Sequence, residues 1–218
     1  MPPSVEGTIM APGYAGGVNW GSLAFEPERR LAIVNAMQVP TVVTLIPREE
    51  YRGGDAAFAG SEFADQQGTP YGMRREVLFS PLGIPCTAPP WGVLSAVDMA
   101  VGTIAWQVPL GTTKDYTPIG IKFGMPNMGG PIVTAGGLIF IAAATDNYLR
   151  AFDVDTGEEL WRGDLPAGGQ ATPMTYHLEE TGKQYVVIAA GGHGGLDTTR
   201  GDYVLAFALP DAVARAAR

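Results

Sequence analysis

The sequence predicts an all-β protein, a partial β-propeller of about three four-stranded antiparallel blades, on three observations. First, a motif recurs. Ala96-Val-Asp98-Met-Ala-Val-Gly102-Thr-Ile-Ala-Trp106 and Ala151-Phe-Asp153-Val-Asp155-Thr-Gly157-Glu-Glu-Leu-Trp161 keep Ala, Asp, Gly and Trp at the same offsets, 55 residues apart. Second, 30 Gly and 18 Pro against only 17% charged residues suit many tight turns between short strands, not helices or disorder. Third, the apolar stretches are short and bounded by Pro, Gly or charged turns.

Taken in order, strands are expected at Trp20–Phe25, Leu31–Asn35 and Val42–Ile46. From Pro47 to Pro90 the chain turns polar and irregular, and it reads as a long insertion of the kind that is functional or interfacial. Strands resume at Trp91–Asp98 and Ile104–Val108. A cleaner unit follows: Pro131–Thr134, Leu138–Ala143, Tyr148–Asp153 and Glu159–Leu165, joined by Ala-Gly-Gly, Thr-Asp-Asn and Asp-Thr-Gly turns. Leu138-Ile-Phe-Ile-Ala-Ala is apolar throughout, as expected where neighbouring sheets cover both faces. Thr172–Tyr176, Tyr185–Ala190 and Tyr203–Leu209 close the chain as three strands with no fourth. The units are thus about 18–108 with an insertion at 47–90, then 129–165 and 171–210. Such an arc cannot close on itself, and its end faces are seldom left to water.

The repeated motif has a structural reading. Asp-x-x-x-Gly makes a tight turn in which the Asp side chain bonds backbone N–H groups and Gly takes positive φ. The Trp on the next strand can then cover a peptide plane of the adjoining blade. These turns account for Asp98, Asp153 and Asp155, so no paired-carboxylate catalysis is proposed. Asp153-Val-Asp155-Thr-Gly157 is not a calcium loop, because the sixth and twelfth positions are Glu158 and Asp164 where Gly and Glu are needed. Gly191-Gly-His-Gly-Gly195 fits no phosphate-binding pattern.

Bulk properties exclude further classes. A net charge of −8 argues against nucleic acid as a partner. The single cysteine, Cys86, excludes an internal disulfide and multi-cysteine metal sites, and it reads as a small buried hydrophobe. No apolar run approaches the roughly 20 residues of a membrane-spanning helix. Met1-Pro-Pro-Ser-Val-Glu-Gly lacks the basic and apolar regions of a signal peptide.

With both motif copies in view, the chain resembles the C-terminal portion of the pyrroloquinoline quinone (PQQ)-dependent, or quinoprotein, dehydrogenases of the membrane-bound glucose dehydrogenase type. The resemblance runs from about Gly16 to Pro210. It rests on Asn19-Trp20-Gly21, Pro81-Leu-Gly-Ile-Pro85-Cys86, Asn127-Met-Gly-Gly-Pro131, Thr145-Asp-Asn-Tyr-Leu-Arg-Ala151, Pro166-Ala-Gly-Gly-Gln-Ala-Thr-Pro-Met-Thr-Tyr176 and Gly191-Gly-His-Gly194. It implies an eight-bladed propeller with PQQ at its axis, oxidation of an aldose (glucose-like) sugar or polyol, and ubiquinone as acceptor. It further implies a periplasmic location associated with the inner membrane. A Ca²⁺-type ion, its ligands and the catalytic aspartate belong to earlier blades, outside this chain. On that reading the chain carries no catalytic or metal residue, needs the missing N-terminal blades in cis or in trans, and is inactive alone. The alternative is a non-enzymatic propeller-repeat scaffold or binding protein.

What the resemblance carries onto this chain is narrow: Asn19, Met128, Gly192 and His193 as cofactor-binding residues. Asn19 matches an asparagine that reaches the quinone. Met128 and Gly192-His193 fall where methanol-oxidising members place a cofactor-contacting Trp and a Gly-Trp pair, and glucose-type members have the same His. From the residues alone, Asn19 could equally cap a turn, Met128 pack in the core, and His193 serve a Gly-rich turn. His177 reads as a surface residue at a strand end.

Overall fold

The computed structural model describes residues 1–54, 61–81, 83–114 and 119–209. Among these described residues, every regular element is a β-strand apart from one short 3₁₀ turn at Gly194–Leu196. The strands form four antiparallel sheets.

Blade I has the order β2 (Leu23–Glu26), β3 (Leu31–Met37), β7 (Gly92–Asp98), β8 (Thr103–Pro109). Blade II runs β9 (Ile132–Val133), β10 (Leu138–Ile141), β11 (Tyr148–Asp153), β12 (Glu159–Asp164) in sequence order. Blade III holds β13 (Met174–Leu178), β14 (Lys183–Ala190) and β15 (Tyr203–Ala208). Among the described residues it has no fourth strand, and β15 is its outer edge.

Between β3 and β7 the chain leaves blade I and, together with β1 (Thr8–Met10) from the N-terminal stretch, builds a further sheet in the order β1, β4 (Thr41–Pro47), β6 (Tyr71–Val77), β5 (Ser61–Ala64). The expected strand at Val42–Ile46 is present as β4, but it belongs to this sheet and not to a blade. The stretch expected to be irregular contributes β5 and β6. Their sequences, Ser-Glu-Phe-Ala and Tyr-Gly-Met-Arg-Arg-Glu-Val, show no apolar alternation because charges pair across the ladder. Arg75 bridges across the ladder to Glu62, while Arg74 lies 3.4 Å from Glu76 two residues along the same strand. A cross-strand pair such as Arg75–Glu62 stabilises a sheet without a hydrophobic pattern. The start of β13 also differs from expectation. Pro173 cannot donate to a ladder, so pairing begins at Met174 and takes His177 into the strand, where it is exposed.

Two cores flank blade II. Ile139, Ile141, Phe152 and Val154 pack with Leu31, Ile33, Leu94 and Ala96 of blade I. Leu149 and Ala142, joined by Phe140, pack with Val186, Ile188 and Leu205 of blade III. Successive residues of β10 therefore face opposite blades, which explains the unbroken apolar run. Burying side chains such as Ile139 and Ile141 completely contributes about 1.5–3 kcal/mol each.

Trp106 links the blades as its position predicts. Its indole Nε1 donates to the Val154 carbonyl at 2.9 Å. Its ring lies so close to Gly157 that a Cβ there would sit 2.6 Å from Cε3. Cys86 does not match its reading, since it is exposed in the loop between β6 and β7. Among the described residues no helix is long and apolar enough to cross a membrane.

Candidate functional site

A cavity of about 560 Å³ opens between the inner ends of the blades and the insertion sheet. The blades contribute Met37, Trp91, Met125, Met128, Thr145 and His193, and the N-terminal segment with the insertion sheet contributes Tyr14, Thr41, Glu62, Val77 and Phe79. The wall is mainly apolar with a few polar atoms, the usual constitution of a small-molecule site.

Met128 and His193, both expected at a cofactor, line this cavity. Met128 is placed by its own N–H, which donates to the Ala143 carbonyl at 3.1 Å. His193 is set by a relay of hydrogen bonds. Its N–H donates to Thr198 Oγ1 at 2.8 Å, that hydroxyl donates to Gln170 Oε1 at 3.0 Å, and Gln170 Nε2 donates to the Ala144 carbonyl at 3.1 Å. The His193 loop is thereby fastened to the residue preceding Thr145. Gly192 does not line the cavity. It supports the loop: its N–H donates to the Gly168 carbonyl at 2.9 Å, and a Cβ there would lie 2.3 Å from the Thr199 carbonyl oxygen. A side chain at 192 would push the His193 segment out of place.

Asn19 lies apart from the cavity wall. Its Oδ1 accepts from the Trp20 N–H at 2.7 Å and its Nδ2 donates to the Ala15 carbonyl at 2.8 Å. Both ends of the amide are spent within the turn before β2.

Two polar atoms of the lining have no partner: His193 Nδ1 and Thr145 Oγ1 are buried and make no hydrogen bond. Buried polar atoms are normally satisfied, and an orphaned pair on one cavity wall calls for an explanation. Thr145 was not singled out from the sequence as a site residue. Its signals were membership of the Thr145-Asp146-Asn147 turn and of the Thr145–Ala151 string that carries the resemblance.

The next residue, Asp146, is fully buried and works as a clasp. It accepts from the Thr112 N–H at 2.6 Å, from Thr112 Oγ1 at 2.8 Å, and from the Arg150 guanidinium through both oxygens. Blade I's exit strand is thus tied to blade II behind the cavity wall. Removing one partner of a buried ion pair costs about 3–5 kcal/mol because the other charge is left unpaired.

No cluster of three His, Cys, Asp or Glu side chains able to hold a metal ion occurs among the described residues. Among the described residues, the charged side chains that line the cavity, Glu62 and Asp197, are both acidic.

The family model for the glucose/ethanol/alcohol dehydrogenase β-propeller domain that uses PQQ matches residues 1–186. The chain belongs to this family of PQQ-dependent dehydrogenase propellers. It is 47% identical to the quinoprotein glucose dehydrogenase of Escherichia coli K12 over 224 residues, covering 97% of this chain and 28% of that protein. It is also 47% identical to a probable quinate dehydrogenase (quinone) of Xanthomonas campestris pv. juglandis, covering 96% of this chain and 28% of that protein. The quinohemoprotein alcohol dehydrogenase of Comamonas testosteroni superposes with a TM-score of 0.60 at 25% identity, over 93% of this chain and 27% of that one. Relative to these quinoproteins the chain spans roughly a quarter of their length, and the arc of blades is the corresponding part of a PQQ propeller.

Proposed function

We propose that this chain is the C-terminal arc of a quinoprotein dehydrogenase that oxidises an aldose or similar polyol and passes the electrons to ubiquinone at the periplasmic face of the inner membrane. The observation that carries the proposal is the cavity at the inner ends of the blades, with His193 Nδ1 and Thr145 Oγ1 buried and unpartnered in its wall.

The residues present fit PQQ in part. Met37, Met125, Met128 and Trp91 offer apolar contact for the faces of a flat ring system, while His193 and Thr145 offer hydrogen bonds to its edge. The cofactor's carboxylates find no cation among these lining residues, and a base and metal ligands are likewise left to blades outside this chain. When bound, PQQ supplies the two-electron acceptor, and a Ca²⁺-type ion the Lewis acid. This chain's own work is positioning and exclusion of water. The Thr198–Gln170 relay holds the His193 loop at one backbone position, and Asp146 with Arg150 locks the Thr145 turn.

A PQQ titration of the chain paired with an N-terminal half of the propeller tests this reading. Saturable binding is expected, weakened about tenfold by His193→Ala, the loss of one good hydrogen bond to a charged ligand. Absence of binding by the pair would instead favour a propeller-repeat scaffold.

A further inference from the structure

We infer that Asn35 and Asn127 are positioning residues: together they fix the methionine-bearing wall against which, on the proposed cofactor reading, a flat ring rests. Their role rests on that reading and deepens it, since neither side chain lines the cavity.

Both are amides in the interior. Asn35 lies in β3 and is 2% exposed, and Asn127, in the segment that precedes β9, is 1% exposed. Asn35 Nδ2 donates to Asn127 Oδ1 at 2.7 Å and to the Gly129 carbonyl at 3.1 Å. Asn127 Nδ2 donates to the Ala36 carbonyl at 3.1 Å and to the Met125 carbonyl at 3.2 Å. The three carbonyls belong to the residue before Met37, to Met125 itself and to the residue after Met128. All three methionines line the cavity. Two side chains from different blades thus tie together the backbone segments that carry one wall. The same segment pairs with blade II through an isolated bridge between Asn127 and Ala144, the neighbour of Thr145.

Packing leaves this arrangement no slack. A Cβ at Gly92 would collide with the Met125 carbonyl and with Asn127 Nδ2, and one at Gly21 would collide with the Gly129 carbonyl. Asn35 Oδ1 is buried without a partner, a cost to stability. Asn35 therefore acts through its two donors, and what they supply is direction: a satisfied buried network rigidifies and specifies one arrangement. A wall of methionines needs this. Thioether side chains are flexible and fill whatever space they are given, so they hold a ring at one height only where their backbones are fixed.

Methyl-labelled methionine NMR of the full chain, with a PQQ titration of the chain paired with an N-terminal half of the propeller, tests the role. Asn35→Ser and Asn127→Ser each remove an amide without burying a charge. Each should shift the methyl signals of Met37, Met125 and Met128 and leave those of Met10, Met73, Met99 and Met174 in place. Each should also weaken PQQ about tenfold. Because the amides act as one unit, the double variant should weaken PQQ no further than the worse single variant. Val186→Ala, in the core between blades II and III, lowers stability away from this wall and should leave both PQQ affinity and the three methyl signals unchanged. Unmoved methyl signals in the Ser variants, additive losses in the double variant, or equal weakening of PQQ by Val186→Ala overturns the inference. Failure of the wild-type pair to bind PQQ overturns the cofactor reading instead, and the methyl spectra of the chain alone still decide whether the two asparagines set the wall.

Discussion

Two turns of the same motif, one in each of two blades, differ in what rests on them. At Asp153–Gly157 in blade II the Trp106 indole covers the turn, bonded to the Val154 carbonyl and in contact with Gly157. At Asp98–Gly102 in blade I nothing lies within 4 Å of where a Gly102 side chain would begin, and Met99 and Val101 are exposed. The backbones are otherwise alike. Gly102 and Gly157 donate to the Asp98 and Asp153 carbonyls at 2.8 and 2.9 Å. Both adopt φ near +73° and +72°, and both copies carry a register shift two residues before the Asp, at Ala96/Val97 and Ala151/Phe152. The turn is therefore formed by its own residues, and the indole is a separate layer added by a neighbouring blade.

The two tryptophans mirror this difference. Trp106 has a turn to cover. Trp161 is 41% exposed, lies over Gly163 of its own strand, and meets Phe207 of blade III edge to face with ring centroids 5.4 Å apart. In blade III Ala206-Phe207-Ala208 stands where blade II has Ala151-Phe152-Asp153, so the turn-forming Asp is replaced by Ala.

Truncating the indoles gives the largest expected contrast. Trp106→Ala should lower stability by about 3 kcal/mol, toward the lower end of large aromatic truncations because the ring is half-buried. Trp161→Ala should cost less than about 1 kcal/mol, the value of an exposed aromatic pair. Urea denaturation reads both, and equal losses would break the comparison. Next come the glycines. Gly157→Ala combines left-handed strain with displacement of the Trp106 ring, about 2–3 kcal/mol in all. Gly102→Ala carries the strain alone, about 1 kcal/mol.

The smallest effect is electrostatic. The Thr156 hydroxyl, with the N–H groups of Thr156 and Asp155, holds the Asp153 carboxyl below the ordinary carboxylate range. In blade I Val101 stands where Thr156 does and offers no hydroxyl, and Asp98 Oδ1 accepts from the Ala100 N–H alone. A carboxyl depressed on folding stabilises the native state above its unfolded value, near 4, and that contribution fades as pH falls through the folded value. Asp153→Asn should therefore flatten the acid limb of the stability profile. Thr156→Val should do the same in part, read as melting temperature against pH from about 5 downward.

Much of the fold was legible because the blades obey local rules. The repeat, the β10 run covered on both faces and the Gly turns each carry their own signal. The insertion sheet was not, because β5 and β6 are held by Arg75–Glu62 and by pairing with β4, contacts that leave no apolar period. Cys86 went astray for a related reason: a small apolar residue in a Pro-rich loop has no periodicity from which to read burial. In the site, Met128 and His193 were reached through resemblance, and both line the cavity. Asn19 instead satisfies its amide within its own turn. Thr145 and Glu62 could not be picked out, since what distinguishes them is an unmade hydrogen bond and a placement opposite the blades, both properties of the folded cavity.

The central claim is that this chain shapes the cofactor cavity while the base and metal ligands reside in other blades. Dye reduction by the purified chain with PQQ, Ca²⁺ and glucose tests it directly. No turnover is predicted for the chain alone, with activity appearing when the remaining blades are supplied. Turnover by this polypeptide on its own would contradict the account.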